Sequence, residues 1–290
     1  MRLRTSDERN PTVTKHQAEI AVTRHGIADS ASWLFVPGHR PEQFAKGIAA
    51  APQMLVLDLE DGVPVSEKAQ ARQAITEWLT HGGVGCVRVN AASSPEFSRD
   101  LEVLRRLSGL RCVILSKSED VAAIDEAAEE IDRPVIPLIE TALGVANVRS
   151  LAAAAGAARL ALGAVDLTLD LGIANDDENL AHARYELVLA SRVAGLAAPL
   201  DSVPMNFGDP DAIYTMSHLS RQRGFGGRMC IHPSQVSPIN RAYLPDEAEL
   251  KWARGVIENA SEDGPSQMEG SMIDLPVFER ARRILAARGV

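Results

Sequence analysis

Cysteine, long apolar runs and positive charge are all scarce in this sequence of 290 residues. Its three cysteines, Cys86, Cys112 and Cys230, lie far apart inside apolar runs, so neither a disulfide framework nor a zinc or redox motif is indicated. No apolar run approaches the roughly 18 residues that a membrane span needs. The net charge is −9 and no basic stripe is present, which argues against a nucleic-acid partner. We therefore expect buried, reduced thiols in a cytoplasmic protein.

The first 31 residues are polar and mixed in charge, and they lack the apolar stretch of a signal peptide. We predict that residues 1–31 form a flexible N-terminal extension. The whole chain is 46% hydrophobic and 24% charged, which is ordinary for a globular protein with a large core.

Short apolar runs alternate with segments of helical periodicity from residue 33 onward. This alternation predicts parallel strands covered by helices, and the count of about eight strands indicates a (β/α)8 TIM barrel over residues 32–240. A doubly wound α/β sheet is the competitor, but no glycine-rich dinucleotide fingerprint follows the first strand. The predicted strands are 33–36, 54–57, 86–90, 112–115, 135–139, 160–162, 199–203 and 228–231, and the predicted helices are 42–51, 66–79, 95–107, 122–131, 143–155, 178–195 and 210–223.

The pattern changes after the eighth predicted strand. Helical segments are predicted at 234–244, 246–260 and 275–287, with a Gly/Ser/Pro-rich link over residues 261–270. Residues 241–290 exceed what a barrel requires, so we predict a C-terminal helical extension that acts as a lid. It would pack on the barrel mouth or reach a neighbouring subunit.

Ionisable or polar residues follow nearly every predicted strand, at the end where TIM barrels carry their chemistry. Any one of them could be a helix cap, but uncompensated charges around one mouth are costly. A cation and an anionic substrate would compensate them, so we predict an active site there. The residues, in strand order, are Asp58, Glu60, Asp61, Arg88, Asn90, Lys117, Glu140, Asp166, Asp201 and His232.

Glu140 and Asp166 are the candidate metal ligands, because they are expected to end neighbouring strands beside small residues. Two carboxylates plus water suit Mg²⁺, with Mn²⁺ possible, better than zinc. Two helix-capping acids are the alternative. Arg88 lies in the otherwise apolar stretch "VRVN", which suits a bidentate contact with a substrate carboxylate. The alternative for Arg88 is an ion pair with Glu60 or Asp58.

Several motifs together resemble the citrate lyase beta-subunit-like lyases, within the metal-dependent 2-keto-acid aldolases. They occur in family order and span residues 32–285. The matching stretches are "LFVPG" (34–38), "LDLEDGV" (57–63) followed by Lys68 and Arg72, "VRVN" (87–90), "LIETALGV" (138–145), "LALGAVDL" (160–167), "GFGGRMCIHPSQV" (224–236) and "GSMIDLPVFERARRIL" (270–285).

The resemblance implies a TIM barrel in which Glu140 and Asp166 bind Mg²⁺ and Arg88 holds the carboxylate of a 2-keto acid. In the coenzyme A-dependent branch, the aspartate matching Asp274 is an acid/base on a segment that closes over a neighbouring subunit's mouth. A homo-oligomer, a trimer or hexamer, is therefore implied. We expect Glu60 to assist catalysis by orienting Arg88 and the metal's waters. Glu140 and Lys117 are expected to contact substrate, and Lys117 to neutralise the acids.

The expected activity is Mg²⁺-dependent cleavage, or formation, of a 3-hydroxyacyl-coenzyme A thioester such as malyl-, citramalyl- or citryl-coenzyme A, giving acetyl-coenzyme A and a 2-keto acid. A metal-dependent 2-keto-acid aldolase that does not use coenzyme A is the alternative, and a thioester-binding protein without turnover is a further one. Ser32 stands where the family commonly has arginine, which leaves the acyl group open.

Overall fold

A computed structural model of the chain describes residues 26–260, 266–268 and 271–287. Its centre is a closed barrel of eight parallel strands in the order β1 to β8, so the predicted TIM barrel is confirmed. The strands are β1 (Ser32–Pro37), β2 (Met54–Asp58), β3 (Gly85–Val89), β4 (Leu110–Leu115), β5 (Val135–Ile139), β6 (Arg159–Leu162), β7 (Ala197–Asp201) and β8 (Gly227–Cys230).

Side chains alternate between the two faces of each strand and so build two core layers. In β3, Cys86 belongs to the cluster inside the barrel, whereas Val87 and Val89 pack in the layer under the helices. Trp33 of β1 and Ile136 of β5 face the interior in the same way. The same alternation decides which residue at each strand end points into the mouth.

The helices surround this barrel as predicted, with ends that differ by a few residues. One helix, α6, was not predicted. It begins directly after β6, where the residues up to Asp166 were interpreted as the end of the sixth strand. The barrel helices are α1 (Phe44–Ala49), α2 (Lys68–Thr80), α3 (Phe97–Leu104), α4 (Val121–Ile131), α5 (Ala142–Ala152), α6 (Ala164–Leu171), α7 (Ala181–Val193), α8 (Pro210–Gln222) and α9 (Val236–Ala242).

Residues 26–31 are packed against the N-terminal end of the barrel, so the prediction of a flexible extension up to residue 31 is wrong for them. Ile27 is only 1% exposed. The buried guanidinium of Arg159 donates hydrogen bonds to the carbonyls of Ile27 (2.9 Å) and Ser30 (2.8 Å). A buried guanidinium needs hydrogen-bond acceptors, and these two carbonyls supply them. The bonds therefore fix residues 26–31 to the start of β6. The remainder of the predicted extension, residues 1–25, lies outside the described residues.

The C-terminal extension forms a small unit of its own. It comprises α10 (Glu247–Asn259), a hairpin of β9 (Ser266–Met268) and β10 (Ser271–Ile273), and α11 (Leu275–Ala286). The hairpin falls in and just after the stretch predicted as a link, of which residues 261–265 and 269–270 lie outside the described residues. Ala281 and Ile284 of α11 pack on α10. Val277 and Leu285 are partly buried beside them, so the apolar residues of α11 pack within the same chain.

In the part of the chain that the structure describes, no helix is both long enough and apolar enough to cross a membrane.

Candidate active site

A cavity of about 130 Å³ opens at the C-terminal ends of the strands. Three of the residues predicted from the sequence, Arg88, Glu140 and Asp166, line it together. The full lining is Phe35, Arg88, Leu138, Glu140, Gly163, Val165, Asp166, Ser202, Val203, Met229 and Ile231.

Asp58 and Arg88 form a buried, bidentate ion pair on one side of this mouth. Arg88 donates from Nε to Asp58 Oδ1 (2.7 Å) and from Nη2 to Oδ2 (2.6 Å). Asp58 is itself fixed by the backbone N–H groups of Glu60 and Gly62, each at 3.0 Å. Burial alone would lower the pKa of Arg88, but the nearby carboxylates outweigh it and raise that pKa. The ion pair left open by the sequence is thus formed, and the guanidinium retains N–H donors on Nη1 and Nη2.

Glu60 and Lys117 extend the ion pair across the mouth. Glu60 Oε2 lies 3.0 Å from Arg88 Nη1, and Glu60 Oε1 accepts a hydrogen bond from Lys117 Nζ at 2.7 Å. Lys117 Nζ is also 3.9 Å from Asp166 Oδ1. Opposite charges therefore alternate from Arg88 to Asp166, and the acids raise the pKa of Lys117 despite its partial burial.

Glu140 is a buried carboxyl of the mouth whose surroundings disfavour its negative charge. It is 2% exposed, and Oε1 accepts a hydrogen bond from the backbone N–H of Lys117 (2.8 Å), which adopts a left-handed φ of 46°. Burial, together with repulsion from Glu60 and Asp166, raises the pKa of Glu140 to about 8. Among the described residues, no lysine or arginine forms an ion pair with it. A buried carboxylate of this kind calls for a proton or a cation.

Asp166 reaches the cavity from a different element than predicted. It lies in the first turn of α6, whereas β6 has already ended at Leu162. An acid is favourable there because it faces the positive end of the helix dipole. Its side chain is 36% exposed, so Asp166 is at the rim and Glu140 below it. Gly163 makes the room between them, since a Cβ at this position would lie 2.5 Å from Glu140 Oε2.

A buried lysine supports the turn that carries Glu60. Lys68 Nζ donates hydrogen bonds to the carbonyls of Leu59 (2.6 Å) and Glu60 (3.1 Å) and to Asn90 Oδ1 (2.8 Å). Asn90 in turn donates to Asp100 Oδ2 at 2.6 Å. Asn90 was expected at the mouth, but it is not part of the cavity lining and instead joins the end of β3 to this turn and to Asp100.

Two other expected mouth residues are not in the cavity. Asp201 faces outward from β7, where it pairs with Arg228 (2.6 Å) and Arg184 (3.3 Å). Burial would raise the pKa of Asp201, but these two cations outweigh it and lower that pKa. His232 is exposed and stacks on Phe207 with ring centroids 4.9 Å apart. The prediction that these two residues face the cavity is wrong.

Asp274 lies at the start of α11, where Oδ1 accepts a hydrogen bond from the backbone N–H of Val277 (3.1 Å). Its segment packs on α10, and none of the described contacts joins Asp274 to the cavity lining. The structure thus brings Arg88, Glu60, Lys117, Glu140 and Asp166 together, and leaves Asp274 apart within one chain.

One side of the cavity is apolar, a feature that was not predicted from the sequence. Phe35, Val203, Met229 and Ile231 come from or directly follow β1, β7 and β8, which are consecutive in the closed barrel. We call these four residues the apolar sector. The charged residues come from β2 to β6 or the turns that follow. The alternation Trp33–Phe35 and Met229–Ile231 was a readable signal for this wall.

Comparisons with known proteins agree with this architecture. The sequence model for "HpcH/HpaI aldolase/citrate lyase" matches residues 31–233. A citrate lyase subunit beta-like protein of Mycobacterium tuberculosis is 36% identical over 265 residues, covering 89% of this chain and 95% of that protein. The mitochondrial citramalyl-CoA lyase of Rattus norvegicus is 26% identical over 297 residues, covering 91% of this chain and 88% of the rat protein.

Solved structures show the same likeness. The crystal structure of CitE from M. tuberculosis in complex with magnesium, acetoacetate and coenzyme A matches with a TM-score of 0.81 and 34% identity, covering 91% of this chain and 99% of that one. A citrate lyase beta subunit from M. tuberculosis has been solved with oxaloacetate and magnesium, and CitE from the same organism with magnesium and pyruvate. Barrel, cavity and sequence agree, and the chain belongs to the HpcH/HpaI aldolase/citrate lyase family.

Proposed function

We propose that this protein is a Mg²⁺-dependent carbon–carbon lyase that cleaves, or forms, a 3-hydroxyacyl-coenzyme A thioester, with acetyl-coenzyme A and a 2-keto acid as the other side of the reaction. The observation that carries the proposal is the cavity shared by Arg88, Glu140 and Asp166. The CitE complex with magnesium, acetoacetate and coenzyme A supports the same class of ligands.

Glu140 and Asp166 fit a magnesium ion. Both offer carboxylate oxygen, the ligand type that Mg²⁺ and Mn²⁺ prefer, and Mg²⁺ takes its remaining ligands from water and substrate. Glu140 is 2% exposed and forms no ion pair with a lysine or arginine among the described residues, so a bound cation would compensate its buried charge. When bound, Mg²⁺ would supply Lewis acidity toward the hydroxyl and carboxylate of the thioester.

Arg88 would orient the carboxylate of the substrate with its free donors on Nη1 and Nη2. Asp58 and Glu60 hold the guanidinium from the other side, so its position is fixed before substrate binds. Lys117 ties Glu60 to Asp166 and thereby aligns the arginine with the metal ligands.

As the carbon–carbon bond breaks, the carbinol hydroxyl releases its proton to solvent and becomes the keto oxygen, and the bonding electron pair remains on the α-carbon of the acetyl thioester. That carbon must take up a proton. We propose that Asp274 delivers it from a neighbouring subunit, because Asp274 has no described contact with its own cavity. We further propose that the protein is a cytoplasmic homo-oligomer, either a trimer or a hexamer.

The test is binding and turnover in the metal-site variants. We expect Glu140→Gln and Asp166→Asn to lose Mg²⁺ binding in calorimetry and to lose cleavage of citramalyl-coenzyme A, followed as the phenylhydrazone of the released keto acid. The exposed Glu129 of α4 offers the control Glu129→Gln. Unaltered Mg²⁺ binding in both site variants would contradict the metal assignment, and activity on free keto-acid aldols alone would contradict the use of coenzyme A.

A further inference from the structure

The charged residues of the mouth leave room for one substrate carboxylate. The groups joined by contacts are the anions Asp58, Glu60, Asp61, Glu140 and Asp166 and the cations Arg88 and Lys117. With all of them ionised, three negative charges remain, and a single Mg²⁺ leaves one. One keto-acid carboxylate then finds Arg88, and a second one meets a mouth with no surplus of positive charge.

Beyond Arg88, whose guanidinium lies 5.1 Å from the centroid of the Phe35 ring, the apolar sector offers no cation for a second carboxylate. Arg88 is the only lysine or arginine among the residues that line the cavity within the described part of the chain. Phe35, Val203, Met229 and Ile231 present hydrocarbon and aromatic surface. A carboxylate placed against such a wall would lose its hydration without gaining a partner, which is costly.

Three backbone donors near this wall are also engaged. The N–H of Ile231 donates to Oε1 of the buried Gln235 (2.8 Å), as does that of His232 (3.1 Å). The N–H of Ala164, at the start of α6, donates to Ser202 Oγ (3.1 Å). These groups are therefore not free to form an anion site.

We infer that the 2-keto acid substrate of this protein is a monocarboxylate. Its keto carbon bears hydrogen or a small alkyl group, where that of oxaloacetate bears a carboxymethyl group. The carboxyl and keto oxygens face the charged residues, and the hydrogen or methyl group faces the apolar sector. The thioester accordingly bears hydrogen or methyl, not carboxymethyl, on its carbinol carbon. This inference rests on the proposed function and narrows it. The solved complexes from M. tuberculosis do not decide the matter, since they include both pyruvate and oxaloacetate.

The first experiment compares keto acids by calorimetry on the full chain with excess Mg²⁺. Glyoxylate, pyruvate and freshly dissolved oxaloacetate are titrated, and the decarboxylation of oxaloacetate to pyruvate is followed in parallel. We expect glyoxylate or pyruvate to bind at least about tenfold more tightly than oxaloacetate, the scale of a modest binding difference. Oxaloacetate binding as tightly as the monocarboxylates would overturn the inference.

The second experiment adds a cation to the apolar sector. Val203→Lys should raise the affinity for oxaloacetate relative to pyruvate by about tenfold. Val193→Lys, at a position of α7 that is 79% exposed, is the matched control and should leave the ratio unchanged. An unchanged ratio in folded Val203→Lys protein would overturn the inference. Should this variant fail to fold, the wild-type ranking decides alone.

Cleavage assays separate this inference from the proposed function. Citramalyl-coenzyme A should be cleaved and citryl-coenzyme A should not. No cleavage of any thioester, together with the expected keto-acid ranking, would contradict the proposed function and leave the inference standing. Efficient cleavage of citryl-coenzyme A would overturn the inference and support the function.

Discussion

At the scale of single residues, Glu140 combines burial with two neighbouring acids. Burial and these acids raise the pKa of Glu140 to about 8 in the folded protein, whereas a glutamate in the unfolded chain titrates near its ordinary value. The folded protein therefore binds this proton more tightly than the unfolded chain does. In metal-free protein the free energy of unfolding should therefore decrease as pH rises from about 4.5 to about 8, and level off above that.

We expect a decrease of about 3 kcal/mol between pH 6 and pH 9, since the two pH units below the pKa of Glu140 each correspond to about 1.4 kcal/mol. Urea denaturation in the presence of a chelator measures it. Glu140→Gln should abolish the Glu140 contribution, whereas Glu42→Gln, at an exposed position beside the first strand, should not. Identical pH profiles for wild type and Glu140→Gln would show that Glu140 titrates normally.

Lys68 is a positioning residue whose loss should affect both stability and the site. Lys68→Met would leave the carbonyls of Leu59 and Glu60 and Asn90 Oδ1 without their donor. We expect a loss of about 2–3 kcal/mol in the free energy of unfolding, the cost of removing a charged hydrogen-bond donor from buried acceptors. Denaturation measures it, and Lys46→Met on the exposed face of α1 serves as control.

The same variant also reports on the mouth. With the turn around Glu60 loosened, pyruvate should bind more weakly in calorimetry with Mg²⁺ present. Unchanged pyruvate affinity alongside reduced stability would mean that Lys68 supports the fold only.

At the scale of elements, strand alternation explains most of what the sequence could predict. The eight strands are marked by apolar runs, and Arg88 and Glu140 continue the inward set of their strands. Asp201 follows the inward Leu200 and so faces outward, which the same alternation would have indicated. The position of Asp201 at the end of a strand does not by itself predict that its side chain enters the cavity. Whether the side chain points inward or outward depends on the alternation along the strand.

Other features depend on contacts that a local pattern does not carry. Helix α6 is short and starts directly after β6, and the N–H of Ala164 at its start donates a hydrogen bond to Ser202 Oγ in the segment that follows β7. The packing of α11 on α10 joins segments separated by a hairpin. Neither could be assigned from apolar periodicity alone.

The junction between β6 and α6 gives a prediction about Gly163. A methyl group there would lie 2.5 Å from Glu140 Oε2 and 2.6 Å from its Cβ, so Gly163→Ala must displace the carboxylate. We expect at least about a tenfold loss of Mg²⁺ affinity in calorimetry, comparable to disturbing the residues that orient a metal ligand. Gly208→Ala, whose Cβ would meet its nearest atom at 3.6 Å, is the control. Wild-type Mg²⁺ affinity in Gly163→Ala would contradict the placement of Glu140.

At the scale of the whole molecule, the position of Asp274 gives a test of subunit cooperation. Asp274→Asn lacks the proposed acid, and Glu140→Ala lacks a proposed metal ligand. If Asp274 acts across subunits, a mixture of the two variants should regain part of the cleavage activity, because some mouths pair an intact Glu140 with a neighbour's intact Asp274. The release of keto acid before and after mixing measures this.

Subunit exchange is verified in the same samples by native mass spectrometry of differently tagged chains. The control is a mixture of two differently tagged forms of the same variant, prepared for each variant. A mixture that exchanges subunits and stays inactive would contradict action in trans.

The contact between β8 and β1 determines when the pocket comes into existence during synthesis. The charged residues from Asp58 to Asp166 are translated well before β8, whereas the apolar sector requires β8 to pair with β1. A nascent chain that ends before β8 contains every residue proposed to bind metal and the substrate carboxylate but lacks Met229 and Ile231. The residues proposed to select among keto acids are therefore completed only after those proposed to bind metal have been made.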